Sequence, residues 1–493
     1  MTEPGTFLTI LQEGGVGGGS VTPVRADRHP TRGGLPTATF KRTSYHATTR
    51  AGNRIALATI FPESFGGGAG MVAHELANHL AERYQVLLLC PGERTELTRR
   101  SNGMKVLTVA SAGPDEVYYP SLGRQTASRV FDWLDEFRPD VVHSHDPVML
   151  GALAQHWALT RAVPFFFTLH LLPDRVLEFG AGDRSILRAR CLVQPVVRSY
   201  MSRFLSDCDG IIALNDAAVR SLSPYGVRAR LFTISNGRDL RHFRCCRNAD
   251  VTGAARNLCF IGFLSDRKNQ LYLLRMLEHL PKTYRLQLVG KALTPGYERE
   301  LRDYAAVHGL SNVEFLGQLD QSAIPNCLAR AHAFVSASRL EVQSLTVIEA
   351  LAAGTPVIGL GNETIDELVD DTVGRRLPRE TPPAEFAHTV EQICSLAQPE
   401  YDRLCRCARA RIERMDWTRV VDATATAYEE LASGLRLQYR FSGNPAPRAR
   451  GLRPLTYLYS HVNIGACALF YAYHRYRRVM PGLIGASRTP QAV

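Results

Sequence analysis

Short, almost wholly apolar runs recur along the chain, each bounded by glycine, proline or polar residues. RIALATIF (54–61), QVLLLCPG (85–92), PDVVHSHD (139–146), VPFFFTLH (163–170), CDGIIALN (208–215) and LFTISNG (231–237) form a first series. NLCFIGFL (257–264), YRLQLVG (284–290), VEFLGQL (313–319), AHAFVSAS (331–338) and TPVIGLG (355–361) form a second. Runs that are apolar at nearly every position suit strands buried on both faces of a parallel sheet. The segments between them carry apolar residues at helical spacing, as in MVAHELANHLAERY after the loop PESFGGGAG (62–70). A strand–loop–helix–strand unit, repeated in two series, predicts an α/β fold of two facing, doubly wound parallel-sheet domains. Ligands then bind between the domains, outside the carboxyl ends of the strands.

The same pattern sets the expected boundaries. Residues 1–52, rich in Gly, Thr, Pro and Arg, are expected to be a disordered extension. Residues 53–237 and 238–416 make the two domains, 417–433 a closing helix that returns to the first, and 434–493 a tail. The glycine run near the start imitates a dinucleotide-binding loop, but Val21-Thr-Pro-Val does not readily open the required helix, and no βαβ unit follows.

Composition changes this picture in one place. With 493 residues, 45% hydrophobic and 21% charged, the chain is ordinary globular material for two or three units. Its net charge of +11, however, is concentrated: from Leu431 onward there is no acidic residue and there are nine arginines, leaving +2 for the rest. Within that tail, PLTYLYSHVNIGACALFYAY (454–473) is uncharged and aromatic, with arginines on both sides. It suits an interfacial helix on an anionic membrane better than a spanning one; packing onto the fold is the alternative. No nucleic-acid module accompanies the arginines, and nucleic acid is not an expected partner. The 11 cysteines lack paired metal-ligand spacing, and the start MTEPGTFLTILQEGG lacks the form of a secretion signal. Reduced thiols and a cytoplasmic protein, peripheral on the inner face of the membrane, are expected.

The most informative segment is SASRLEVQSLTVIEALAAGTPVIG (336–359), which reads strand, polar loop, helix, strand. Ser344, Leu345 and Thr346 supply amides at the helix start, where unpaired N–H groups and the helix dipole attract phosphate. Glu341 precedes that start and Glu349 lies inside the helix. A carboxylate beside a phosphate site is unsuited to binding more phosphate, but it can accept from sugar hydroxyls. Two such carboxylates suit a nucleotide-sugar: one for the sugar, one for the ribose.

On these residues the chain resembles the GT-B retaining glycosyltransferases of family four over about Arg54 to Ser433. The spacing of Glu341 and Glu349, followed by ALAAGTPVIG, carries the resemblance. It implies that Glu341 contacts the transferred sugar and Glu349 the ribose of a nucleotide-diphosphate sugar, with UDP-sugar as the expected donor. It also implies retention of anomeric configuration without a metal or other cofactor. In IGFLSDRKNQ (261–270), Gly262 and Lys268 match the family's phosphate-binding stretch, Phe263 replaces its arginine, and Arg267 is the candidate substitute. The glycine loop, with Gly67 and Gly68, is implied to lie under the diphosphate and acceptor, where glycine permits close approach and positive φ. His170 is implied to lie near the donor sugar. Around Glu341, the form EVQSLTVIEA is similar to lipid-glycosylating members such as diacylglycerol glucosyltransferases, which makes a membrane lipid the expected acceptor.

Other clusters are assigned no chemistry. His143-Ser-His145-Asp146 ends a strand with side chains diverging to opposite faces, which favours cleft lining over a metal site. Asp207-Cys-Asp209 has a metal-binding spacing but stands at the amino end of its strand, away from the cleft. No GxSxG elbow, HExxH helix, P-loop or paired CxxC is present, which removes hydrolase, zincin, NTPase and zinc-finger readings. A soluble transferase or nucleotide-sugar epimerase, and a non-catalytic nucleotide-sugar binder, remain as alternatives.

Overall fold

The computed structural model describes residues 54–63, 67–112, 119–122, 124–175, 190–244, 255–293 and 295–442. The expected N-terminal extension, the Cys245-Cys246 pair and the tail beyond 442 lie outside the described residues. The first series of apolar runs folds as β1 (Arg54–Ala58), β2 (Gln85–Gly92), β3 (Glu96–Arg99), β4 (Lys105–Ala112), β5 (Tyr119–Pro120), β6 (Val141–Ser144), β7 (Phe165–Leu169), β8 (Gly210–Ala213) and β9 (Arg230–Thr233). These form one sheet in the order β3-β4-β2-β1-β6-β7-β8-β9, with β5 added to β4. All pairings are parallel except those of the short β3 and β5 with β4.

The second series gives β10 (Arg256–Ile261), β11 (Tyr284–Val289), β12 (Val313–Gly317), β13 (Ala333–Ser336), β14 (Val357–Leu360) and β15 (Gly374–Leu377). Their order is β12-β11-β10-β13-β14-β15, parallel throughout. The chain starts mid-sheet in both halves, runs outward to one edge, and returns to the other side of the starting strand. Neighbouring strand ends then part between β1 and β6 and between β10 and β13, which is where such sheets bind ligands.

Central strands are apolar on both sides because helices cover both faces. RIALA of β1, FFFTL of β7 and AFVS of β13 are buried almost without interruption. The closing helix spans Trp417–Ser442, past the expected end at 433. It is tied to the first domain by the Tyr428 hydroxyl, hydrogen-bonded to His143 Nδ1 at 2.6 Å, and by an ion pair of Asp422 with Arg83 in the turn before β2.

A candidate donor site where the strand ends part

Parallel pairing of β10 with β13 brings two loops to one place. The β10 loop turns at Gly262, whose φ of +146° lies where a side chain is strained, and then carries Arg267 and Lys268 into the helix Gln270–Leu277. The β13 loop carries Glu341 to Ser344, which caps the helix Leu345–Ala352. The juxtaposed loops pair their charges. Lys268 Nζ is in close ion-pair contact with Glu341 Oε1, and Arg267 Nη1 stands 3.4 Å from the same oxygen while donating to the Leu340 carbonyl at 2.7 Å. Arg267 thus stands as a second cation beside the carboxylate that Lys268 meets, where Phe263 offers none. Phe263 itself lies under the Lys291 ammonium, 5.6 Å from its ring centre.

Burial acts against both charges. It is the strongest influence on Glu341 and would raise its carboxyl, but Lys268, Arg267 and a hydrogen bond from Ser338 outweigh it. The carboxyl is held below the ordinary range, so Glu341 is an anion at neutral pH. For Lys268 burial prevails over the pull of Glu341, and the adjacent Arg267 adds to it, so its ammonium sits below the ordinary lysine value. Two cations on one buried carboxylate leave a local positive excess, the sign that a departing diphosphate needs.

The helix start is partly committed. The Ser344 amide donates to Thr364 Oγ1 at 2.9 Å. Of the three amides expected to hold phosphate, Ser344's is thus engaged within the protein, which leaves those of Leu345 and Thr346 in the first turn, where no intrahelical partner exists. Gly68 approaches this helix from the first domain: a Cβ on it would lie 3.6 Å from the Leu345 side chain. Gly67 caps the helix Gly68–Leu80 at φ −85°, so the loop uses glycine for closeness and not, at this position, for a left-handed backbone.

The same loop joins the domains. Leu340 and Val342 pack into the core of the first sheet. Asn215 caps the helix Asp216–Ser221 through its Oδ1 and with Nδ2 donates to the Val342 carbonyl at 2.7 Å. Gln343 accepts from the Asn236 amide at 2.7 Å and donates to the Leu214 carbonyl at 3.1 Å. Glu341 is in this way held by both domains.

Glu349, one turn into the helix, is buried and bonded through Oε1 to Arg238 Nη2 at 2.7 Å. Burial pushes its carboxyl above the ordinary range; Arg238 opposes that shift and Glu75 adds to it. Arg238 is a residue that the apolar pattern gave no reason to single out. It stands in a basic segment resembling a linker, and its partners are remote in sequence.

His170 ends β7 with its Nε2 2.9 Å from His145 Nδ1, the rings stacked 5.1 Å apart. Burial lowers His170 to about 4 and His145 well below the ordinary imidazole value, so both are neutral at pH 7, one donating to the other. His143 differs from the expected cleft lining. It is fully buried, hydrogen-bonded to Tyr428 and, through Nε2, to Thr168 Oγ1 at 2.7 Å, and it serves the core. Asp146 is also buried, accepting from the Val148 amide at 3.1 Å. At the amino ends of the strands, Asp209 accepts from the Phe165 amide and Asp207 pairs with Arg203 at 3.0 Å, both structural uses.

Comparison with known proteins gives the family and the fold. Residues 66–242 match the family described as Glycosyltransferase Family 4, and residues 255–395 match Glycosyl transferases group 1. Glycogen synthase of Mycobacterium tuberculosis (strain CDC 1551 / Oshkosh) is 30% identical over 318 residues, covering 61% of this chain and 71% of that enzyme. The alpha-monoglucosyldiacylglycerol synthase of Streptococcus pneumoniae is 26% identical over 258 residues, or 50% of this chain and 57% of the synthase's length. Among solved structures, Anabaena HepE in complex with UDP and glucose superposes with a TM-score of 0.60 at 20% identity, covering 76% of this chain and 99% of that one. The fold is GT-B, and the chain belongs to the glycosyltransferases of the family-four type.

Proposed function

We propose that the protein transfers a hexosyl group, with retention, from a UDP-sugar to a hydroxyl of a membrane lipid. The observation that carries this reading is Glu341 seated beneath Lys268 and Arg267 while Glu349 lies one turn below the amides of Leu345 and Thr346. In the reaction, the bond between the sugar's anomeric carbon and the diphosphate oxygen breaks, and the electron pair leaves with the nucleoside diphosphate. Lys268, Arg267 and the two amides stabilise that charge. The acceptor oxygen bonds to the anomeric carbon from the same face, and its proton passes to the departing phosphate oxygen. No protein base, metal or other cofactor is required by this scheme. Glu341 accepts from hydroxyls of the transferred sugar, Glu349 from the ribose, and neutral His170 can hydrogen-bond the sugar or a phosphate oxygen.

Support for a lipid acceptor comes from similarity to the pneumococcal glucosyldiacylglycerol synthase and from the arginine-flanked aromatic tail. Among the described residues no helix is long and apolar enough to cross a membrane. The arginine-flanked aromatic tail supports a peripheral place on the inner face. A polysaccharide acceptor is the second reading, favoured by the 30% identity to a glycogen synthase. Purified protein given radiolabelled UDP-glucose and diacylglycerol in anionic vesicles separates the two. Label extracted with the lipid supports the proposal, label confined to water-soluble glycan supports the second reading, and no transfer from UDP-, GDP- or ADP-sugars contradicts both.

A further inference from the structure

Arg238 is 4% exposed and has a pinned backbone: its amide donates to the Met415 carbonyl at 2.8 Å, beside the closing helix. Its guanidinium lies against the Phe243 ring, 5.5 Å from the centre. From that fixed place it holds two carboxylates of different domains, Glu349 at 2.7 Å through Nη2 and Glu75 at 2.9 Å through Nη1. Glu75 lies on the helix Gly68–Leu80, which the glycine loop opens, and its second oxygen accepts from Trp417 Nε1 at 3.0 Å. One guanidinium facing two carboxylates leaves the group a net anion, able to accept further hydrogen bonds. Because only one Glu349 oxygen is taken, the other can receive a vicinal diol.

We propose that Arg238 is a positioning residue for the donor: it orients Glu349 for the ribose hydroxyls and ties that carboxylate, through Glu75, to the glycine-loop helix across the cleft. The inference rests on the reading of Glu349 as the ribose acceptor and adds to it a residue from outside the two loops that carry Lys268 and Glu341. Arg238 does not touch the reacting atoms, so its loss acts on donor binding. It also acts on protonation. The charged groups around Glu349 are Arg238 and Glu75; further out are His79, its ring tilted against that of Trp417 with centroids 5.1 Å apart, and Arg409, whose Nη2 donates to the Ala353 carbonyl at 3.2 Å. Without Arg238, burial and Glu75 both favour the protonated Glu349, which loses an acceptor lone pair for the ribose.

The test compares full-length wild type, Arg238→Gln, Arg238→Lys and Arg238→Gln/Glu349→Gln, with the nucleotide-sugar that supports transfer. Arg238→Gln is expected to raise the donor KM by about tenfold or more while kcat at saturating donor falls less than about threefold. Arg238→Lys, which reaches one carboxylate, should recover part of the loss. In Arg238→Gln, donor affinity should weaken as pH is lowered from neutral, and this dependence should vanish in the double variant. Wild-type KM and pH profile in Arg238→Gln would overturn the inference. Should Arg238→Gln fail to fold, an unchanged donor KM in Arg238→Lys would overturn it equally, and a raised KM with preserved kcat would support it. A wild-type protein that neither binds nor uses any nucleotide-sugar removes the functional reading itself, a result distinct from a wild type that works and a variant that works as well.

Discussion

Lys268 and Glu341 form a buried ion pair whose desolvation is costly, and each member is the other's partner. In the proposed reaction the donor exchanges these partners, the diphosphate meeting Lys268 and the sugar hydroxyls Glu341. If each supplies a few kcal/mol in the transition state, Glu341→Ala and Lys268→Ala should each lower kcat at least ~100-fold. Near-normal turnover in either variant would remove it from the reaction. The histidines titrate in a defined direction. Burial disfavours the imidazolium, lowering His143 to about 3 and His170 to about 4. Carbon- or nitrogen-detected NMR of the ring signals should therefore show both neutral at pH 5, and a midpoint near 6.5 would show that they are solvated.

The helix Leu345–Ala352 depends on how it ends as well as how it begins. It is followed by Gly354 at φ +74°, where an added Cβ would lie 2.8 Å from Arg409 Nε and 3.1 Å from the Cys405 carbonyl oxygen. Gly354→Ala should cost more than about 1 kcal/mol in urea unfolding, through both the positive φ and the crowding. A change within about 0.5 kcal/mol would show that the turn adapts. Legibility followed the same logic of burial. The central strands, β1, β2, β6, β7, β8 and β10, β11, β13, β14, were visible as apolar runs because both faces are covered. β15, with the sequence GRRL, and β3, with ELTR, are polar edge strands and give no such signal. β4, KVLTVASA, alternates more than it runs. In the site, Glu341, Glu349 and Lys268 were readable from their spacing within two segments. Arg238 was not, because its role depends on Glu75, 163 residues away. Nor could sequence show that the Ser344 amide is taken by Thr364, 20 residues on.

Over the whole molecule, charge is divided between a nearly neutral body and a basic terminus. The acceptor proposal needs that terminus to meet an anionic surface. Truncation after Ser442, which spares the closing helix, should release the protein from phosphatidylglycerol vesicles in a sedimentation assay while leaving its melting temperature within a few degrees. Unchanged vesicle binding would move the membrane contact elsewhere or remove it. The two domains meet through the loop that bears Glu341, docked by Val342 and Gln343 onto the strand ends of the first sheet. In the proposed site the donor is gripped from both sides. The most direct measurement is a crystal structure with the nucleoside diphosphate that raises the melting temperature most. Its phosphates are expected within hydrogen-bond reach of the Leu345 and Thr346 amides and Lys268 Nζ, with the ribose hydroxyls on Glu349. A nucleotide bound away from these groups, or none bound at all, would contradict the donor site proposed for this cleft.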